Sequence, residues 1–217
     1  MDFRSVFHKK LNEIKDDVIV LGGLVGDAVQ RSVDALTTRD LELAKRIVAG
    51  DKRINQLRFD IEEKCVQLIA TQQPLASDLR VLVAVLNIIT EMERIGDYAV
   101  GISKITIMIG DEPPLKPLVD IPRMAEKTVD MLKRSLDAFV ACDAETATRI
   151  TAEDDVVDDL YAKVFQELLG FMMKDGETVT RATRLIWVAH DLERSADRVT
   201  NICERVVFVV TGKMEEI

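Results

Sequence analysis

Aromatic side chains are scarce in this chain. Phe, Trp and Tyr make up 5% of 217 residues, beside five prolines and ten glycines. Sheet proteins lean on aromatic runs and Gly/Pro turns, so this shortage argues against them. Cysteine is also sparse. Cys65, Cys142 and Cys203 are odd in number and lack CxxC spacing, which excludes a disulfide framework or a cysteine zinc site. No basic block is present. The formal net charge is −9 and the pI about 4.9, so the chain repels nucleic-acid phosphates and no nucleic-acid partner is expected. Long apolar runs are missing too. The most apolar stretch, Val81 to Thr90, is too short for a bilayer and contains Asn87. Charges run through residues 1–20, so no signal peptide is expected. These absences predict a soluble, cytoplasmic protein, peripheral to a membrane at most. There is also no P-loop, no Gly-rich strand–turn–helix and no recognisable Ser/His/Asp or Cys/His set. A non-enzyme is the expectation.

What remains is 47% hydrophobic and rich in Ala, Leu, Val and charged residues, a composition suited to long helices. Helical periodicity predicts six of them. The first runs from about Phe3 to Leu36, with Leu11, Ile14, Val18, Leu21, Val25, Ala28 and Leu36 inward. Asp40 caps a second, which carries Ile47, Ile54, Leu57, Ile61, Cys65 and Leu68 and ends near Thr71. A third starts near Ser77. Four of the five prolines then fall between Gly110 and Pro122, a linker signal. Arg123 to Ala141 is a fourth helix. Asp143 caps a fifth with Ile150, Val157, Leu160, Val164, Leu168 and Phe171 on its stripe. A sixth starts near Glu177 and stops by Gly212.

The pattern repeats. Asp40 matches Asp143, and Asp51 to Leu57 matches Asp154 to Leu160, both at an offset of 103. Glu93-Arg94…Asp97 matches Glu193-Arg194…Asp197 at an offset of 100. The expected fold class is all-α: two tandem three-helix bundles made by duplication, residues 1–109 and 123–217, joined by a Pro-rich linker over 110–122.

Each copy of that last motif puts a Glu and an Asp one helical turn apart on one face. By itself this carries almost no weight. With 38 acids in 217 residues, about six such pairs arise by chance, and the chain has six. Register says more. Asp51/Asn55 and Glu93/Asp97 have midpoints at 53 and 95, each 21 residues from the turn at Pro74. The pairs should stand level across the hairpin, about 30 Å from the turn. Asp154/Asp158 and Glu193/Asp197 are likewise equidistant from the turn at Asp175-Gly176. Three or four oxygen ligands at one point repel unless neutralised. Arg94 and Arg194 follow their Glu directly but point about 100° away round the helix. A bound cation is the other solution, and oxygen ligands suit Mg²⁺, Ca²⁺, Mn²⁺ or oxidised iron. The only histidines, His8 and His190, do not make an internal di-iron bundle site. Asp27, Asp130, Glu126 and Asn201 are weaker candidates by register.

Glu93-Arg-Ile-Gly-Asp97, Glu193-Arg-Ser-Ala-Asp197, Thr200-Asn-Ile-Cys-Glu204, Asp78-Leu-Arg80 and the entry from His8 to Ala44 resemble the signature segments of the PhoU family. The resemblance covers nearly the whole chain. Asn55 departs from the pattern where the second repeat has Asp158, and Arg198 stands where His would be expected. The resemblance implies a cytoplasmic, often dimeric pair of three-helix bundles that hold metal clusters through the paired acidic motifs. It implies a negative regulator of the phosphate-starvation response that couples the phosphate ABC transporter to the sensor histidine kinase. The alternatives are a metal-dependent hydrolase, an ion-storage or structural protein, and an accessory protein of a different phosphate permease.

Overall fold

The computed structural model describes residues 3–214; the outer bounds expected for the two halves, residues 1 and 217, lie outside them. Its helices are α1 (Phe3–Thr38), α2 (Leu41–Gln72), α3 (Ala76–Ile109), α4 (Asp120–Ala141), α5 (Ala144–Thr151), α6 (Asp154–Lys174) and α7 (Val179–Thr211). A single 3₁₀ turn, Gly176–Thr178, leads into α7. Among the described residues no strand is present. Helices α1–α3 form one bundle and α4–α7 the other.

Both expected caps are in place. Asp40 accepts from the Leu43 N–H at 2.8 Å, and Asp143 from the Thr146 N–H at 3.0 Å. Each satisfies one of the N–H groups that a helix start leaves without an intrahelical partner. The residue before each cap, Arg39 or Cys142, takes a positive φ that turns the chain sharply. Gly212, at φ 75°, ends α7 as expected.

Two boundaries and one inward position differ from the periodic reading. Helix α4 begins at Asp120, three residues before Arg123. Pro122 sits in its first turn, where a missing N–H costs no helical bond. The fifth helix is broken at Ala152-Glu153 into α5 and α6. On α1 the inward residue is Val29, with Ala28 half-buried.

The duplication is visible in detail. Ser32 on α1 and Ser135 on α4 are fully buried and 103 apart, and each hydroxyl donates to the carbonyl three residues back at 2.7 Å. The bundles do not stand apart. One hydrophobic core runs through both, and α3 against α7 is the most extensive helix contact. The two cross antiparallel: Glu91 meets Arg198 and Asn201, while Gly101 faces Asp191. The proline-containing connection is pinned to the second half. Lys116 pairs with Glu167, Arg181 donates to the Pro113 carbonyl at 3.1 Å, and Leu115 and Leu118 pack on the core.

Candidate metal centre

The crossing of α3 and α7 sets the two acidic motifs at mid-length of the molecule's longest contact. Inward residues Met92, Ile95, Leu192 and Ala196 fix the rotation of each helix. That leaves Glu93 and Asp97 turned toward α2, and Glu193 and Asp197 toward α6.

In the first cluster Asn55 donates to Asp51 Oδ2 at 2.7 Å, along one face of α2. Burial pushes the Glu93 carboxyl above its ordinary value, and the negative charges of Asp97 and Asp51 add to it. Burial and Asp51 do the same to Asp97. Arg58 and Arg94 oppose the shift at Glu93, but Arg58 is engaged with Glu62 at 2.7 Å. In the second cluster Asp154, Asp158 and Glu193 are each raised by burial and by neighbouring carboxylates. Burial, then Asp158, Asp197 and Glu193, push Asp154 up to about 7. Asp158 is raised by burial and by Asp197, and Glu193 by burial and by Asp197.

Seven buried side-chain polar atoms among the described residues lack a hydrogen-bond partner, and three are arginine Nε atoms. The other four are Asp51 Oδ1, Asn55 Oδ1, Asp154 Oδ1 and Glu193 Oε2. Every such oxygen therefore belongs to the eight residues expected as ligands. A buried oxygen without a donor costs free energy unless a cation or water serves it. The donor set is all oxygen, which suits hard cations. Among the described residues no three His, Cys, Asp or Glu side chains converge into a ready ligand set. Local pairs engage several of them instead. Arg194 holds Asp197 at 2.6 Å and also bonds Tyr98 on α3, so arginine does reach one acid of the cluster, Asp197 rather than the adjacent Glu193. His190 Nδ1 stands 3.4 Å from Glu193 Oε2.

The weaker candidates turn elsewhere. Asp27 pairs with Arg31 and Asp130 with Arg134, at 3.1 and 3.0 Å. Asn201 donates to Glu91 on α3, and Glu126 is exposed. Two acids at the head of these motifs were given no role by the sequence reading. Glu91 accepts from Arg198 at 3.3 Å and from Asn201 at 3.2 Å. Asp191, its repeat counterpart, is pushed up to about 6 by burial and lies where a Cβ on Gly101 would come within 2.7 Å of its Oδ2. Their signal was present: an acid two residues before the Glu of each motif.

The comparison with known proteins fits this geometry. The model of a family described as the PhoU domain matches twice, over residues 18–106 and 121–206. The chain belongs to the PhoU family. It is 38% identical over 208 residues to the phosphate-specific transport system accessory protein PhoU homolog of Caulobacter vibrioides strain NA1000, covering 95% of this chain and 90% of that protein. It is 35% identical over 207 residues to the Escherichia coli K12 protein of that name, covering 95% and 86%. The crystal structure of the phosphate transport system regulatory protein PhoU from Streptococcus pneumoniae superposes with a TM-score of 0.90 at 31% identity, over 97% of this chain and all of that one. PhoU from Pseudomonas aeruginosa gives 0.90 at 33%, over 95% and 100%. In this PhoU-family chain the two family matches each contain one pair of facing acidic motifs, Asp51/Asn55 with Glu93/Asp97 and Asp154/Asp158 with Glu193/Asp197.

Proposed function

We propose that this chain is a non-catalytic adaptor and negative regulator of the phosphate-starvation response. It couples a phosphate ABC transporter to a sensor histidine kinase, and holds hard cations in its two acidic clusters. The names of relatives matched over at least 95% of the chain support the transport part: phosphate-specific transport system accessory protein, and phosphate transport system regulatory protein. The cation part rests on one observation, that every buried unpartnered oxygen among the described residues lies in the eight expected ligands. Asp51, Asn55, Glu93 and Asp97 would hold one site, and Asp154, Asp158, Glu193 and Asp197 the other. A bound Mg²⁺, Mn²⁺, Ca²⁺ or iron ion would neutralise the carboxylates and offer a positive point to phosphate groups or acidic partner surfaces. The side chains' own part is to stand level on rigid helices, so that the site is positioned by the core. Among the described residues no helix is long and apolar enough to cross a membrane. The proposed arrangement is a cytoplasmic homodimer that meets its membrane partners at its surface.

The test is genetic and biochemical together. A host lacking this chain should express its phosphate-starvation genes with phosphate in excess, and the restored gene should silence them. Purified chain should be retained by the kinase's cytoplasmic domain. Silence without the chain, or no retention, contradicts the regulatory reading.

A further inference from the structure

The first two helices of each half align at an offset of 103, and one difference between them opens a space. In the second half, Glu153 at the α5–α6 break turns its carboxylate to α4. Arg134 grips it with two parallel bonds, Nη1 to Oε2 at 2.8 Å and Nη2 to Oε1 at 2.7 Å, and Lys127 donates as well. This fork holds the Glu153 carboxyl down at about 2. In the first half Arg31 stands where Arg134 stands, and Asp27 where Asp130 does, with the same Asp–Arg pair one turn apart. Glu153, however, is replaced by Gly50, and Lys127 by Leu24.

Helix α2 runs unbroken past Gly50, and nothing lies within 4 Å of where its Cβ would be. The vacated seat is a groove of about 150 Å³, lined in part by Arg31, Arg46, Gly50, Arg53, Asp27 and Asp51. Asp27 is already matched by Arg31, and Asp51 Oδ2 accepts from Asn55. Arg46 makes only a 4.0 Å contact with Asp40, and Arg53 has no ion pair among the described residues. Three arginines thus line a space with room for a small anion and several waters, each water needing about 30 Å³.

We infer that this groove is an oxyanion site. Arg31, with Arg46 and Arg53, takes a phosphate or carboxylate group from solution into the seat that Glu153 fills in the other half. The guanidinium fork suits two oxygens of one group. The groove borders the first proposed cation centre, with Asp51 on its wall, but its anion contacts are arginine and need no metal.

The test is calorimetric titration of chelator-treated, full-length protein with inorganic phosphate at low salt, with acetate and sulfate in parallel. One saturable site per chain is expected. Arg31→Gln should weaken it about tenfold, the loss of one charge-assisted contact. Gly50→Glu should abolish it by supplying an internal carboxylate. Arg149→Gln, the exposed counterpart of Arg46 in the second half, should leave it unchanged. Helical circular dichroism confirms that each variant is folded. Phosphate and sulfate without acetate assigns a tetrahedral anion; acetate as well widens the class to carboxylates. No saturable binding by any anion overturns the proposal, as does equal binding in folded Arg31→Gln protein. Because metal is stripped throughout, failure here leaves the cation reading untouched.

Discussion

At the residue scale, Asp154 concentrates the tension in the candidate site. Burial and four neighbouring carboxylates push it up to about 7 in the folded chain, from an ordinary 3.8. The folded state therefore holds a proton that the unfolded chain has already released. Between those two values folding takes up a proton, so the contribution of Asp154 is most favourable below about 4 and is lost as pH rises toward 7. Metal-free protein should melt at lower temperature at pH 7.5 than at pH 5. Asp154→Asn keeps the shape and removes the charge. It should raise the melting temperature of metal-free protein at pH 7.5, by about 2–4 °C for each kcal/mol relieved in a domain of this size. Scanning calorimetry in chelator checks this. An unchanged or lower melting point for Asp154→Asn would show that the carboxylate is not under strain. The acid spacing was legible in the sequence, because register from the turns placed Asp51 and Asp154 opposite their partners. The hold of Arg194 on Asp197 was not. It depends on a rotamer and on Tyr98, which arrives from the other half of the molecule.

At the element scale, caps were read correctly because their cause is local. Asp40, Asp143 and Gly212 act within their own turns. The break between α5 and α6 is different. It accompanies the pull of Arg134 and Lys127 on Glu153, contacts that span 19 and 26 residues, and no periodicity within the helix reports them. The glycines of α1 make the same distinction testable. Gly23 has nothing within 4 Å of its Cβ position, whereas at Gly22 a Cβ would stand 2.1 Å from Leu136 Cδ1 on α4. Gly23→Ala should stabilise the protein by about 1 kcal/mol through helix propensity. Gly22→Ala should lose that gain and cost about 1–3 kcal/mol as Leu136 is displaced. Urea unfolding midpoints of the two variants check the pair. If both stabilise equally, α1 and α4 are less closely packed than described.

At the scale of the whole molecule, duplication was legible and fusion was not. One inward stripe was assigned to each helix, which yields two separate bundles. Helices α3 and α7 in fact bury adjacent doublets, such as Leu82 beside Val81, Ile89 beside Ile88, Ala189 beside Val188 and Cys203 beside Ile202. A helix apolar on two faces is covered on two sides. Those doublets were the missed sign that α3 and α7 pack on each other as well as within their own halves. Both acidic motifs ride on one antiparallel helix pair, and Glu91 and Asp191 lie at its seam. The central claim is that these clusters hold cations. It is tested most directly by elemental analysis of protein purified without chelator or nickel, beside Glu93→Ala/Asp97→Ala and Glu193→Ala/Asp197→Ala variants. Stoichiometric metal in the parent protein, lost cluster by cluster in folded variants, is the predicted result. Full metal content in both variants, or folded parent protein that takes up no hard cation when offered one, would contradict it.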